Sequence, residues 1–139
     1  MDIITAQRLS KSYGDNNVLN DMYFTLPKGE VIGLFGPNGC GKTTLMKILT
    51  GLIHDYDGSV LINGNVPGEK TKAFTAYLPE QTFVHDWMRN IDAVDYFNDF
   101  FSDFDKNKAL EMLKKFGLPE KQKAKTMSKG MQEKLLLSL

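Results

Sequence analysis

Two stretches near the start of the chain, 2–9 (DIITAQRL) and 18–26 (VLNDMYFTL), mix apolar and polar residues in the manner of strands with one solvated face. The polar segment KSYGDNN lies between them and PKGE follows the second, so the sequence predicts a turn at each place. Residues 31–36 (VIGLFG) are almost wholly apolar, which predicts a short strand buried on both faces. SVLING and TAYLP predict two further short strands.

Helical spacing begins after the glycine-rich loop that follows VIGLFG. Within residues 42–52, a single buried stripe at i, i+3, i+4 and i+7 is predicted for Leu45, Ile48, Leu49 and Leu52. From about Ile91 the pattern is mostly helical, and a last helix begins at about Ser128. Because strands and one helix come first and helices follow, the sequence predicts an α/β core (1–86) with a helical subdomain attached (87–139).

Apolar and aromatic residues are dense in 91–104. One face of this predicted helix would carry Ile91, Val94, Phe97, Phe101 and Phe104, with Tyr96 and Phe100 outside it. Such a stripe is interpreted as core, and the aspartates beside it as solvated surface.

Charge and composition exclude several classes of function. Seventeen basic residues cancel seventeen acidic ones, so no general attraction to nucleic acid is expected. No apolar run approaches the roughly 20 residues that span a bilayer, and the first residues lack the apolar segment of a secretory signal. Cys40 is the single cysteine, so no internal disulfide can form, which is compatible with a reducing compartment.

Residues 36–43 match the phosphate-loop pattern G-x-x-x-x-G-K-[ST] between a predicted strand and a predicted helix. The glycines permit a curl in which N–H groups face phosphate oxygens, and the helix N-terminus adds partial positive charge. Lys42 would bind the β- and γ-phosphates, Thr43 would ligate Mg²⁺, and Thr44 could contact the α-phosphate. The alternative is a tight strand–helix turn with a spare lysine. The predicted phosphate-binding residues are Gly36, Pro37, Asn38, Gly39, Cys40, Gly41, Lys42, Thr43 and Thr44.

Four further stretches carry a family resemblance. LSKSYGDNNVLNDMYFTLPKGEVIGLFGPNGCGKTTLMKILTGL resembles the opening of ABC-type ATPases, and DYDGSVLING resembles the segment after their first helix. YLPEQ resembles the strand end before their Q-loop, and MSKGMQEKL resembles their signature sequence. The chain therefore resembles the N-terminal portion of an ABC transporter ATP-binding subunit, closest to the bacterial exporter-type branch. The resemblance implies a P-loop NTPase core, incomplete here, with an N-terminal antiparallel β-subdomain and a helical subdomain.

The resemblance also assigns roles to single residues. Tyr13 matches the aromatic that stacks on adenine. Counting from AYLP places Glu80 where the family usually has the glutamine that ligates Mg²⁺ and senses the γ-phosphate, and Gln81 stays open as the alternative. Together with Lys42, these two are the predicted catalytic residues, and Thr43 and Glu80 are the predicted metal ligands.

In the family, the signature helix of one subunit meets the γ-phosphate of ATP held by a second subunit. Ser128 and Gly130 match that signature, whereas Lys129 and Met131 depart from its commonest form. Ser128 is also a good N-cap, so a capped helix without a binding role is the alternative. The resemblance implies MgATP as cofactor, a head-to-tail dimer of ATP-binding subunits, and membrane permease subunits as partners on the cytoplasmic face. The groove for the permease would involve the helical subdomain, and Trp87 is a candidate contact.

The family's water-activating glutamate, second-shell aspartate and switch histidine follow the signature helix, and the chain stops at Leu139. We therefore expect these 139 residues to bind nucleotide without hydrolysing it, as part of a longer ATPase. The alternatives are a nucleotide-binding module without turnover, or a soluble ABC-type ATPase acting on ribosomes or DNA. The balanced charge gives no support to the last alternative.

Overall fold

The computed structural model describes residues 2–79 and 84–139. The chain folds into two compact units, Met1–Tyr77 and Leu78–Leu139. In chain order the elements are strands β1 (Asp2–Tyr13) and β2 (Asn16–Pro27), helix α1 (Lys42–Leu49), strand β3 (Asp57–Ile62), and helices α2 (Glu69–Lys72), α3 (Asn90–Phe100), α4 (Lys106–Lys115) and α5 (Lys129–Ser138), with a 3₁₀ turn at Ala124–Thr126 between the last two helices. An antiparallel sheet with one longer helix precedes a helical unit, in agreement with the predicted fold class.

The sheet has the strand order β2–β1–β3, and both pairs are antiparallel. Strands β1 and β2 are longer than predicted, because only Gly14 and Asp15 lie between them. Lys11 and Tyr13 are therefore strand residues, and the prediction that they lie in a turn was wrong. The tight connection is possible because Gly14 adopts a positive φ of 57°.

Helix α1 packs against one face of this sheet. The core of the first unit consists of Ala6, Leu9, Leu19, Leu45, Ile48, Leu49, Val60 and Ile62. The helix ends at Leu49, and the Thr50 hydroxyl donates to the Met46 carbonyl at 2.9 Å. Because the chain then turns at Gly51, Leu52 leaves the helical stripe and is exposed, contrary to the prediction for that residue.

Two predicted strands do not form. Residues 31–36 have no strand partner, and Val31 and Phe35 are almost fully exposed. Residues 75–79 are likewise outside any strand. A strand exists only through hydrogen bonds to a neighbour, and within 2–79 and 84–139 no other segment pairs with either stretch. For 31–36, both the strand pairing and the burial on two faces that the apolar pattern predicted were therefore wrong.

The helical unit has its own core, formed by Val84, Met88, Ala93, Val94, Ala109, Leu113, Leu118, Ala124, Met127 and Leu135. Asn90 is fully buried at the start of α3, and its amide donates to the Pro119 carbonyl at 2.8 Å. The backbone N–H groups of Asn90 and Ile91 donate to the carbonyls of Gln122 and Glu120, at 3.0 and 2.9 Å. These bonds fix α3 against the connection that precedes α5.

Helix α3 ends earlier than the predicted stripe. Its last residue is Phe100, and Phe101 has extended backbone angles. Val94 is buried, whereas Phe101 is half exposed, so the prediction of a continuous buried stripe through Phe101 was wrong. Within the described ranges, none of the helices combines the length and apolar character required to cross a membrane.

Candidate functional site

The glycine-rich loop curls tightly before α1. The Cys40 N–H donates to the Pro37 carbonyl at 3.4 Å, and Gly41 has a φ of 95°. A Cβ atom at Gly41 would lie 2.8 Å from the Val18 carbonyl oxygen and 2.9 Å from the Leu19 side chain. Glycine is therefore required at position 41 by both backbone conformation and packing. The close packing of Gly41 against Val18 and Leu19 fixes the start of α1 against strand β2.

The first turn of α1 presents backbone N–H groups that the helix does not use. The first helical bond after the cap runs from the Leu45 N–H to the Gly41 carbonyl at 2.8 Å. The N–H groups of Lys42, Thr43 and Thr44 come before this ladder, and the capping residue Gly41 has no side chain to accept from them. N–H groups at a helix N-terminus, together with the helix dipole, suit an anion.

The ammonium group of Lys42 lies over the curled loop. Its Nζ donates to the carbonyls of Gly36 and Pro37, at 2.8 and 2.6 Å, and lies 3.7 Å from the Cys40 sulfur. At Gly36, a Cβ atom would lie 2.7 Å from that same sulfur. The loop thus curls around the positive charge of Lys42 and has no room for an added side chain at Gly36. This geometry suits a phosphate group, whose oxygens accept hydrogen bonds from ammonium and amide donors.

The fit to Mg²⁺ rests on fewer groups. Thr43 is exposed at the first turn of α1, next to Lys42, and its hydroxyl is an oxygen ligand of the kind Mg²⁺ accepts. Within 2–79 and 84–139, no three His, Cys, Asp or Glu residues lie together as a metal cage would require. Mg²⁺ held through one hydroxyl, waters and substrate phosphates needs no such cage. Both Glu80 and Gln81, the predicted Q-loop residues, lie outside the described residues.

Tyr13 ends strand β1, and its ring is half exposed. The ammonium of Lys11 lies 4.8 Å from the ring centroid, and it also pairs with Asp55 at 2.8 Å. This bond and charge lower the pKa of the exposed Asp55 carboxyl below its ordinary value. Lys11 pairs in the ladder with Leu19, which is next to the Gly41 contact, so Tyr13 lies on the hairpin that packs against the loop.

Sequence reasoning missed Lys11 and Asp55 because it placed Lys11 in a turn. Lys11 is buried although it is charged, a combination that requires a partner such as Asp55. A regular strand alternation could not have found them, because the ladder of β1 is irregular between Leu9 and Lys11 and again between Lys11 and Ser12.

Ser128 and Gly130 lie in the helical unit, at the start of α5. The Ser128 hydroxyl accepts a hydrogen bond from the Met131 N–H at 3.2 Å, so its predicted role as an N-cap is confirmed. A Cβ atom at Gly130 would meet nothing within 4 Å. Packing among residues 2–79 and 84–139 therefore does not explain the glycine.

The family model of the ABC transporter matches residues 19–139. The chain belongs to the ABC transporter family. It is 32% identical over 139 residues to the ABC transporter ATP-binding protein YtrB of Bacillus subtilis, covering 99% of this chain and 48% of that protein. It is 39% identical over 87 residues to the spermidine/putrescine import ATP-binding protein PotA of Haemophilus influenzae, covering 60% of this chain and 23% of PotA.

A solved ATP-binding subunit of an ABC transporter is similar to the ABC-family fold seen here, with a TM-score of 0.79 and 26% identity, covering 98% of this chain and 60% of that one. These findings confirm the resemblance inferred from the motifs and the predicted fold class. The chain spans about half the length of YtrB and less of PotA.

Proposed function

We propose that this chain is the part of an ABC transporter's ATP-binding subunit that binds the phosphates of the nucleotide. The observation that carries the proposal is the curled loop whose Gly36 and Pro37 carbonyls accept from the Lys42 ammonium, directly before the first turn of α1 with its uncapped N–H groups. A triphosphate carries several negative charges, and this part of the chain offers a full cation next to a helix N-terminus.

Different residues of the chain would contact different parts of the nucleotide. Lys42 would leave the carbonyls of Gly36 and Pro37 and donate to the β- and γ-phosphates. The loop N–H groups would orient the phosphates, and the half-exposed Tyr13 ring would stack on adenine. Mg²⁺, held by Thr43 and Glu80, would supply charge neutralisation of the phosphates.

Hydrolysis, transport and subunit assembly are proposed for a longer ATP-binding subunit. YtrB and PotA, both named ATP-binding proteins, are more than twice as long as the part this chain matches. We infer that such a subunit dimerises head to tail through the end of α5 that carries Ser128 and Gly130. It would act at the cytoplasmic face of a membrane through permease subunits, and these 139 residues alone would bind nucleotide without turnover.

The test is a calorimetric titration of wild type and Lys42→Ala with ATP and with AMP. Lys42→Ala should weaken ATP binding about ten- to a hundredfold, because charge-assisted hydrogen bonds contribute about 1.5–3 kcal/mol each. AMP has neither the β- nor the γ-phosphate, so its affinity should change little.

The matched control is Lys47→Ala, which removes a lysine from the last turn of the same helix. This variant should bind both nucleotides as the wild type does. Equal losses of ATP and AMP affinity in folded Lys42→Ala would contradict the placement of the triphosphate. The absence of nucleotide binding by folded wild type would contradict the proposal as a whole.

A further inference from the structure

The end of the β1–β2 hairpin extends beyond the ladder that β1 forms with β3. In the described part of the chain, β1 pairs with β3 as far as Ser10, which lies opposite Asp57. Its pairing with β2 continues to Tyr13, which lies opposite Asn16. The end of β1 therefore has a strand on one side only. A two-stranded hairpin is marginally stable by itself, so the position of Tyr13 depends on contacts besides the ladder.

An ion pair connects this end of β1 to the segment that leads into β3. The Lys11 ammonium donates to the Asp55 carboxylate at 2.8 Å, and the two residues are 44 positions apart in sequence. The lysine side chain is 7% exposed, whereas that of Asp55 is 99% exposed. A buried ammonium requires a partner, so the carboxylate determines where the lysine charge lies.

The same ammonium contacts the Tyr13 ring. Its Nζ lies 4.8 Å from the ring centroid, and a cation within about 6 Å of a centroid is attracted to the ring face. Half of Tyr13 is nevertheless exposed, which leaves room for a flat ligand. Lys11 is thus fixed by Asp55 on one side and restricts the ring of Tyr13 on the other.

We propose that Lys11 and Asp55 are positioning residues for the nucleobase. The carboxylate holds the ammonium against the Tyr13 ring, and the ammonium holds that ring in the orientation in which it stacks on adenine. Neither residue touches the nucleotide. The inference rests on the proposed stacking of Tyr13 and adds the support that the one-sided end of β1 lacks. An ion pair that only stabilised the sheet would affect all ligands equally and would act independently of the ring.

The test compares calorimetric titrations with ATP and with inorganic triphosphate, which has no base. Lys11→Met removes the charge and keeps an unbranched side chain. It should weaken ATP binding about three- to fivefold, as expected for one cation–π contact, and leave triphosphate affinity unchanged. Asp55→Asn should give a smaller loss of the same kind. Lys11→Arg keeps a cation that can pair with Asp55 and should bind ATP nearly as the wild type does.

A double-mutant cycle separates positioning from a general effect on the fold. In a Tyr13→Ala background, Lys11→Met should cause no further loss of ATP affinity, since no ring remains to be positioned. Fluorine NMR of 3-fluorotyrosine at position 13 gives a readout without nucleotide. Its resonance should shift in Lys11→Met and return towards the wild-type position in Lys11→Arg.

The matched controls are Arg8→Met and Asp21→Asn. Arg8 and Asp21 form another ion pair of the same hairpin, at 3.9 Å, and both side chains are exposed. Each control should bind ATP and triphosphate as the wild type does and leave the fluorine resonance in place. Circular dichroism should show that every variant is folded. If Lys11→Met does not fold, Asp55→Asn carries the test, because its side chain is exposed.

Three results would overturn the inference: unchanged ATP affinity in folded Lys11→Met, equal losses of ATP and triphosphate affinity, or additive losses in the double variant. A loss of ATP affinity in Tyr13→Ala with unchanged binding by Lys11→Met would overturn the positioning and leave the stacking intact. Unchanged ATP affinity in Tyr13→Ala would contradict the stacking and the positioning together. The titration of Lys42→Ala decides the phosphate contacts independently of both.

Discussion

The Tyr13 ring contacts the ammonium of Lys11, a charged side chain that is buried in the fold. The Lys11 ammonium lies beneath the ring and is kept there by Asp55. A lysine with two such contacts loses freedom, and it restricts the ring above it in turn. One side of the Tyr13 ring is therefore occupied by a cation while half of the residue remains exposed, which is an arrangement that favours a stacked flat ligand on the exposed side.

Tyr13→Ala should weaken ATP binding about tenfold and leave inorganic triphosphate binding unchanged, because an aromatic stack on a base contributes about 1–3 kcal/mol. Tyr13→Trp should retain the affinity for ATP. Tyr23→Ala, which removes an exposed ring from the neighbouring strand, is the matched control. Calorimetry with both ligands measures the difference. An equal loss of triphosphate binding would mean that Tyr13 acts through the loop and not through the base.

At the scale of elements, the sequence predicts what local interactions determine. Helix α1, strand β3 and helix α5 were expected close to where they occur, since each has a local residue pattern of its own. Asp105 and Ser128 each accept a hydrogen bond from an N–H in the first turn of their helix, at 3.0 and 3.2 Å. The prediction of a strand at 31–36 was wrong because a strand depends on a neighbouring strand that is far away in sequence. The local pattern of residues carries no information about whether that neighbour is present.

Substitutions at two positions at the start of α5 should distinguish a residue that stabilises the fold, Ser128, from one that we propose contacts nucleotide, Gly130. Ser128→Ala should destabilise the chain by about 1 kcal/mol, since the cap bond to Met131 is lost. Gly130→Ala should instead leave stability unchanged or raise it by up to about 1 kcal/mol, because glycine is unfavourable inside a helix and the added methyl meets no atom of the described residues. Chemical unfolding measures both changes.

If the end of α5 meets nucleotide held by a second subunit, Gly130→Ala should also reduce ATP-dependent dimerisation of the longer subunit, measured by sedimentation. Met131→Ala, one residue further into α5, is the comparison variant, because it changes a side chain that is half-buried against the core. A Gly130→Ala protein that dimerises normally would leave the glycine without a role in binding and would contradict the proposed head-to-tail contact.

At the scale of the whole molecule, the first unit carries an apolar cavity of about 610 Å³ between the sheet, helix α1 and the extended segment 32–34. Ile32 and Leu34 line this cavity, while Val31 and Phe35 lie outside it and are almost fully exposed. The segment thus has apolar side chains both inside and outside the cavity, and it pairs with no strand in the described part of the chain. Unpaired apolar segments of this kind are templates for association.

The 139-residue chain should therefore self-associate as its concentration rises, and Val31→Lys with Phe35→Lys should suppress the association. Both residues are solvent-exposed, so the substitutions should leave the sheet and helix α1 intact, as circular dichroism would verify. The control is Val66→Lys with Leu52→Lys, called here the Val66 control, which places the same two charges at other exposed residues of the same unit, outside the cavity lining. Sedimentation velocity over a concentration series distinguishes the variants. Equal suppression by the Val66 control would mean that net charge, and not the unpaired segment, controls association, because only the variant at Val31 and Phe35 changes that segment.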